Sequence, residues 1–180
     1  LGNALISVIQ PEEALCHLER GVDLGRSCTI YLWNLALAYL LLGDYTKGWE
    51  YYEVRFDNED FEHVKIPTSG PRLRDLSDAP SSSQPSLVVW SEQGRGDAIQ
   101  FFRYLPLLDA AGIPFLFLTR PSLLDLFRDW GGLGDRVQEI GSTDPLNDER
   151  PHVALMSLPR LFGTEIHTIP RICPYLHYNG

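Results

Sequence analysis

Cysteine and basic residues are both scarce in this sequence, and each deficit excludes a class of protein. Three cysteines occur among 180 residues with no CxxC pair, so we predict reduced thiols in a cytoplasmic protein rather than a disulfide framework. Lysine and arginine total 15 against 24 acidic residues, for a net charge of −9, which argues against a nucleic-acid partner. No apolar run reaches the length of a membrane span, so none is expected.

The remaining composition is that of a globular protein. Hydrophobic residues make up 44% of the chain, which predicts a packed core. A length of 180 residues allows one ordinary domain or two small ones. The sequence begins with Leu1, within a segment of helical pattern, so we expect it to be a piece of a longer protein.

Residues 1–56 contain an internal repeat with an offset of 34 residues. Small residues recur at Ala14 and Gly48 and large ones at Leu18 and Tyr52, as expected where two helices touch and interlock. A period of this length resembles the tetratricopeptide repeat, in which helices pack as pairs. Turns between the paired helices are predicted at two places, Pro11–Ala14 and Gly43–Tyr45.

The repeat has two possible roles. Tetratricopeptide helices form a groove for a protein partner, or they serve as a helical buttress for a neighbouring domain. Because the sequence contains fewer than two full repeats and a continuous core needs about three, we favour the buttress.

Residues 57–85 are predicted to be a linker. Prolines, a glycine and a run of serines follow one another there, and this density of turn residues is typical of irregular connections. The boundary between two domains is therefore placed in this stretch.

From residue 86 onward, apolar runs alternate with segments of helical periodicity. This alternation predicts a parallel sheet, and a proline at position 106 predicts a bend in the first helix near Arg103. Strands are expected at Leu87–Ser91, Pro114–Thr119, Arg136–Ile140 and His152–Met156, and helices at Asp97–Ala111 and Ser122–Trp130. Ligands of parallel sheets bind at the carboxyl ends of the strands. That rim comprises Glu92–Asp97, Thr119–Arg120 and Ser157–Arg160.

A glycine loop, Gly94-Arg95-Gly96, connects the first strand to the first helix. Glycines allow a sharp turn and a close approach of a ligand to the backbone, and the start of a helix suits negative charge. Asp97 follows the loop. From its position it is either an N-cap of the helix or a functional carboxylate, and both roles are compatible.

Four segments carry a resemblance to a known family: Leu35–Phe56, Trp90–Leu108, Ser157–Thr164 and Thr168–Leu176. With these segments the chain resembles bacterial proteins in which tetratricopeptide repeats precede a heptosyltransferase-type glycosyltransferase domain. The resemblance implies the GT-B architecture, in which two Rossmann-like halves face each other. It thus implies an α plus α/β fold: repeat helices over 1–56, the linker 57–85, and over 86–180 the Rossmann-like half that holds the sugar acceptor.

The resemblance also implies roles for individual residues. The pair Gly96-Asp97 matches the position of the proposed general base of the heptosyltransferases, and Gly94 belongs to the same loop. Arg95 stands where relatives usually have leucine, and it either reaches phosphate or is simply exposed. Gln93 and Gln100 are candidates to bind sugar hydroxyls, and Ser157 and Arg160 are candidates to hold the acceptor. The donor would be a nucleotide sugar, bound mainly by a half that the sequence lacks, and no other cofactor is implied.

Two alternatives remain. A nucleotide-dependent oxidoreductase is disfavoured, because the third glycine of GxGxxG is replaced by Ile99 and no acidic residue closes the second strand. A non-catalytic scaffold would use the repeats for partners and the α/β part for packing. A metal site at Cys173 and His177 is not expected, because zinc needs three or four ligands.

Overall fold

The computed structural model describes residues 10–25, 28–57, 66–80, 85–130, 133–141 and 148–176. The chain forms two compact units, one from Leu1–Val64 with Gly163–Ile169 and the other from Lys65–Phe162 with Pro170–Gly180. The predicted helix at Leu1 lies outside the described residues. None of the helices in the described ranges combines the length and the apolar character needed to cross a membrane.

The first unit contains three helices in succession: α1 (Pro11–Asp23), α2 (Thr29–Leu42) and α3 (Tyr45–Tyr52), followed by a 3₁₀ turn at Glu53–Asp57. The predicted turn before α3 is present: Gly43 has φ of 80° and the Asp44 side chain caps the helix. The prediction of a turn at Pro11–Ala14 is wrong, because these residues form the first turn of α1. Proline is tolerated there because the first helical N–H groups need no partner within the helix.

The small and large residues of the repeat lie where the offset predicts contacts. Ala14, Leu18 and Tyr52 are all buried. Gly48 is in close contact with α2, since a Cβ at this position would lie 2.6 Å from the Leu40 side chain. Helices α1, α2 and α3 therefore pack through these positions, and their assignment to the tetratricopeptide repeat stays a prediction.

The second unit contains a four-stranded parallel sheet, which confirms the sheet predicted from the alternating pattern. The strands are β1 (Leu87–Trp90), β2 (Phe115–Thr119), β3 (Val137–Glu139) and β4 (His152–Ala154), in the order β3-β2-β1-β4. Strands β1 and β2 are buried along their whole length. They occupy the centre of the sheet, which explains their continuous apolar sequences.

The helix after β1 is interrupted where a bend is predicted. It consists of α4 (Arg95–Phe101), a 3₁₀ turn at Phe102–Tyr104 and α5 (Leu105–Ala110). Pro106 lies in the first turn of α5. Its missing N–H removes no hydrogen bond at that position, and the tighter 3₁₀ turn before it accommodates the proline ring. The next predicted helix is a 3₁₀ turn at Pro121–Leu123 followed by α6 (Leu124–Arg128), and β4 leads through a 3₁₀ turn at Leu155–Ser157 into α7 (Leu158–Leu161).

Part of the predicted linker packs along the sheet. The Leu73 N–H donates to the His152 carbonyl at 2.7 Å, and the His152 N–H donates to the Pro71 carbonyl at 3.0 Å. Leu73 is also buried in the core of the second unit. Residues 71–73 thus extend the β4 edge, which differs from an unattached connection, while 58–65 and 81–84 lie outside the described residues.

Candidate functional site

Buried polar side chains are concentrated at the carboxyl ends of the strands. Nine polar or charged side chains are buried in the described part of the chain. Four of them lie at or shortly after the carboxyl ends of β1, β2 and β4, namely Ser91, Glu92, Thr119 and Ser157. Burial of polar groups is costly unless they are hydrogen-bonded, so this edge of the sheet is chemically distinct from the apolar core beneath it.

Hydrogen bonds join the ends of β1 and β2. The Ser91 hydroxyl donates to the Thr119 hydroxyl at 3.3 Å, and the Arg120 guanidinium donates to the Gln93 carbonyl at 3.2 Å. The side chain that follows β2 is therefore attached to the loop that follows β1. These two segments of the predicted rim meet as expected for a parallel sheet.

Glu92 connects the same loop to the segment after β4. Its carboxylate accepts a hydrogen bond from the Met156 N–H at 3.3 Å, and the residue is only 8% exposed. Glu92 is therefore a buried side chain, bonded to the backbone of the 3₁₀ turn that follows β4, and not a solvated one. Helix α4 also packs against that turn, so all three predicted segments of the rim come together.

Asp97 is a capping residue, but not the N-cap itself. The N-cap position is Gly94, and Asp97 is the third residue of α4. The Asp97 carboxylate accepts a hydrogen bond from the Gly94 N–H at 3.0 Å, which is the side-chain half of a capping box. The half-buried Asp97 carboxylate is therefore held against the glycine loop, at the carboxyl end of β1.

The other residues of the loop are open to solvent. Gly94, Arg95, Gly96 and Gln100 are exposed, and Gln93 is half-buried. A Cβ at Gly96 would meet no atom within 4 Å. The backbone of the loop is therefore accessible to a ligand from the solvent side.

The two candidates after β4 differ in accessibility. Ser157 is 1% exposed, which favours a supporting role over direct contact with a ligand. Arg160 is half-buried and donates to the Arg74 carbonyl at 2.9 Å. This bond joins α7 to the segment that runs along β4.

A buried histidine, His152, lies on β4, and the sequence pattern did not predict it as a site residue. The Trp90 indole N–H donates to His152 Nδ1 at 3.2 Å. Burial, and secondarily the nearby Arg72 charge, lower the pKa of His152 to about 4. The imidazole is therefore neutral at pH 7. The sequence contains one indication of this pair: both residues lie in apolar strands, where a buried polar ring needs a hydrogen-bond partner.

A separate groove of about 550 Å³ lies along the edge strand β3. Its lining consists of Leu124, Arg128, Asp135, Gln138 and Glu139. The Arg128 guanidinium donates to the Val137 carbonyl at 3.1 Å, which occupies part of the free strand edge. None of the predicted site residues lines this groove.

Metal ligands are not grouped in the described residues. No cluster of three or more histidine, cysteine or acidic side chains in those ranges could hold an ion. Cys173 is exposed with a free thiol, and His177 lies outside the described residues.

Comparison of the chain with protein-family models, with curated protein sequences and with solved structures finds no match. Function is therefore inferred from the residues and geometry of the rim.

Proposed function

We propose that this chain is the acceptor-side part of a glycosyltransferase of GT-B type, preceded by helices of the tetratricopeptide kind. The observation that carries the proposal is the meeting of the glycine loop, Asp97 and four buried polar side chains at the carboxyl ends of β1, β2 and β4. In open parallel sheets this edge is where ligands bind. The nucleotide-sugar donor is held mainly by a second half outside this sequence.

Asp97 is the proposed general base. Its carboxylate takes the proton of the acceptor hydroxyl while the acceptor oxygen bonds to the anomeric carbon of the sugar. The bond from that carbon to the phosphate oxygen breaks, and the nucleoside diphosphate leaves with the electron pair. The hydrogen bond from the Gly94 N–H orients the carboxylate.

The other rim residues support this arrangement. Glu92 holds the glycine loop against the segment after β4, and the Ser91–Thr119 pair joins the ends of the two central strands. Gln93, half-buried in the loop, and Gln100, exposed on α4, are the proposed contacts for sugar hydroxyls. Arg160, at the half-buried end of the rim, is a candidate contact for the acceptor.

The test is sugar transfer by the full-length protein over a panel of nucleotide sugars, measured beside Asp97→Asn. Loss of a general base reduces turnover by about 10²–10⁴-fold. Asp125→Asn is the matched control, because Asp125 is an exposed aspartate on α6 that belongs to none of the three rim segments. Near wild-type turnover in Asp97→Asn would remove the catalytic role.

A non-catalytic scaffold is the second candidate, and one observation favours it. Helix α2 is apolar on all sides, yet Ile30 and Leu41 are 45% and 55% exposed. Exposed apolar side chains on a helix suit a protein partner. Absence of transfer and of donor hydrolysis in the full-length protein would support this candidate and leave Asp97 as a helix cap.

A further inference from the structure

We infer that the groove along β3 is an interface between two copies of this chain, in which the two β3 strands pair antiparallel across a two-fold axis. Among the described residues, β3 pairs with β2 alone and is an outer strand of the sheet. An unpaired strand edge is a template for a further strand. The groove contains none of the rim residues, so the inference is independent of the proposed function.

The backbone groups of two β3 residues point away from β2. The Ile140 N–H donates to the last carbonyl of β2 at 2.7 Å, and successive residues of a strand face opposite ways. The groups of Val137 and Glu139 therefore face outward, as the bond from the Arg128 guanidinium to the Val137 carbonyl shows. The Val137 N–H already donates to the Gly134 carbonyl. A new strand can thus bond to the Glu139 N–H and to the second lone pair of the Val137 carbonyl.

One register of the two strands satisfies these groups. With Gln138 on the two-fold axis, Val137 of each copy lies opposite Glu139 of the other, and the Glu139 N–H donates to the Val137 carbonyl. The Gln138 amide meets its own equivalent, which it can pair with because an amide both donates and accepts. A register that placed Glu139 opposite itself would set like charges directly against each other, which is destabilising.

Arg128 supplies the opposite charge in this register. Helix α6 packs against β3, and the Arg128 guanidinium is bonded to the Val137 carbonyl at 3.1 Å. Directly opposite residues of paired strands have Cβ atoms about 5 Å apart, so Glu139 of the second copy comes within reach of this guanidinium. Within the described ranges, Arg128 and Glu139 are exposed and form no ion pair. The groove therefore contains both members of a charge pair that a second copy joins, twice in a two-fold dimer.

The test is sedimentation velocity of the full-length protein and of variants with reversed charges. We expect a concentration-dependent dimer whose Kd rises roughly tenfold or more in Arg128→Glu and in Glu139→Arg, because each reversal places like charges together at both ends of the strand pair. Arg20→Glu and Glu13→Arg reverse exposed charges on α1 and should leave Kd unchanged. A thermal melt verifies that each variant folds.

Mixing the two groove variants distinguishes pairing between copies from an effect within one chain. Arg128→Glu and Glu139→Arg should associate with each other with a Kd within about threefold of the wild-type value, because both charge pairs are restored across the interface. The variant that carries both reversals should dimerise in the same way.

Three outcomes would overturn the inference. A wild-type protein that stays monomeric at every concentration would leave the groove to a strand of another protein. A dimer with an unchanged Kd in both groove variants would place the interface elsewhere, and weakening without association of the mixture would contradict the charge pair. Sugar transfer by a monomer would retain the proposed function and remove this inference, whereas a dimer that depends on the groove but transfers no sugar would do the reverse.

Discussion

Asp97 illustrates how one side chain combines a structural and a chemical role. Its carboxylate closes the first turn of α4 by accepting the Gly94 N–H at 3.0 Å. We predict that Asp97→Ala lowers the free energy of unfolding by about 1 kcal/mol, because that N–H loses its acceptor. Asp97→Asn retains an acceptor oxygen and should change stability less. Urea denaturation of the two variants measures the difference, and equal destabilisation would indicate that charge, not the hydrogen bond, matters.

His152 predicts a dependence of stability on pH. Burial lowers its pKa from 6.5 to about 4, so between these values the unfolded chain takes up a proton that the folded chain does not. The free energy of unfolding therefore falls as pH decreases from about 6.5 to 4, by up to roughly 3 kcal/mol from this residue. Above about pH 6.5 this contribution is constant.

The measurement compares the wild-type protein with His152→Asn by denaturation at several pH values. Asparagine keeps an oxygen that can accept from the Trp90 indole N–H, but it does not titrate. Because the carboxylates titrate equally in both proteins, the difference between the two curves isolates the histidine. Parallel curves from pH 7 to 4 would contradict the assignment.

The pairing of the 66–73 segment with β4 depends on a glycine. A Cβ at Gly70 would overlap the backbone carbonyl oxygens of Glu149 and Arg150. We predict that Gly70→Ala lowers the free energy of unfolding by about 1–3 kcal/mol, the range for overpacking, since backbone atoms must move. The change is measured by chemical denaturation.

Gly96→Ala is the matched control for that substitution. Gly96 is the second residue of α4, and a Cβ there meets no atom within 4 Å. Alanine in a helix is more stable than glycine by roughly 0.5–1 kcal/mol, so this variant should be unchanged or more stable. If both glycine variants lost stability equally, the close approach at Gly70 would not be the cause.

The secondary-structure elements can be predicted from local sequence to different degrees. The alternation of apolar runs and helical periodicity predicts all four strands. The signal is clearest in β1, β2 and β4, which are buried along their whole length, whereas β3 has only its first residue buried. The break at Phe102–Tyr104 follows from Pro106, whose effect is also local. The bonds of the 66–73 segment to β4 join residues about 80 positions apart, and turn-rich sequence contains no signal for such a pairing.

The reactivity of the three cysteine thiols is a property that can be measured on the intact native protein. Cys16, Cys28 and Cys173 are all free and exposed, so we predict that all three react with a thiol reagent in the native protein, as they do after denaturation. Absorbance after addition of an aromatic disulfide reagent counts them. Fewer than three reactive thiols without reductant would contradict the arrangement.

Local pattern predicted helices before residue 57, although not the start of α1 at Pro11, together with the parallel sheet and the rim where the glycine loop meets the ends of the strands. These features depend on periodicity, glycine and proline, which act over a few residues. The strand order β3-β2-β1-β4, the burial of Glu92 and the pairing of Trp90 with His152 were decided by tertiary structure. Each of these features depends on which distant segments of the chain pack together. That packing determines which side chains are buried, and burial in turn determines their hydrogen bonds and their pKa.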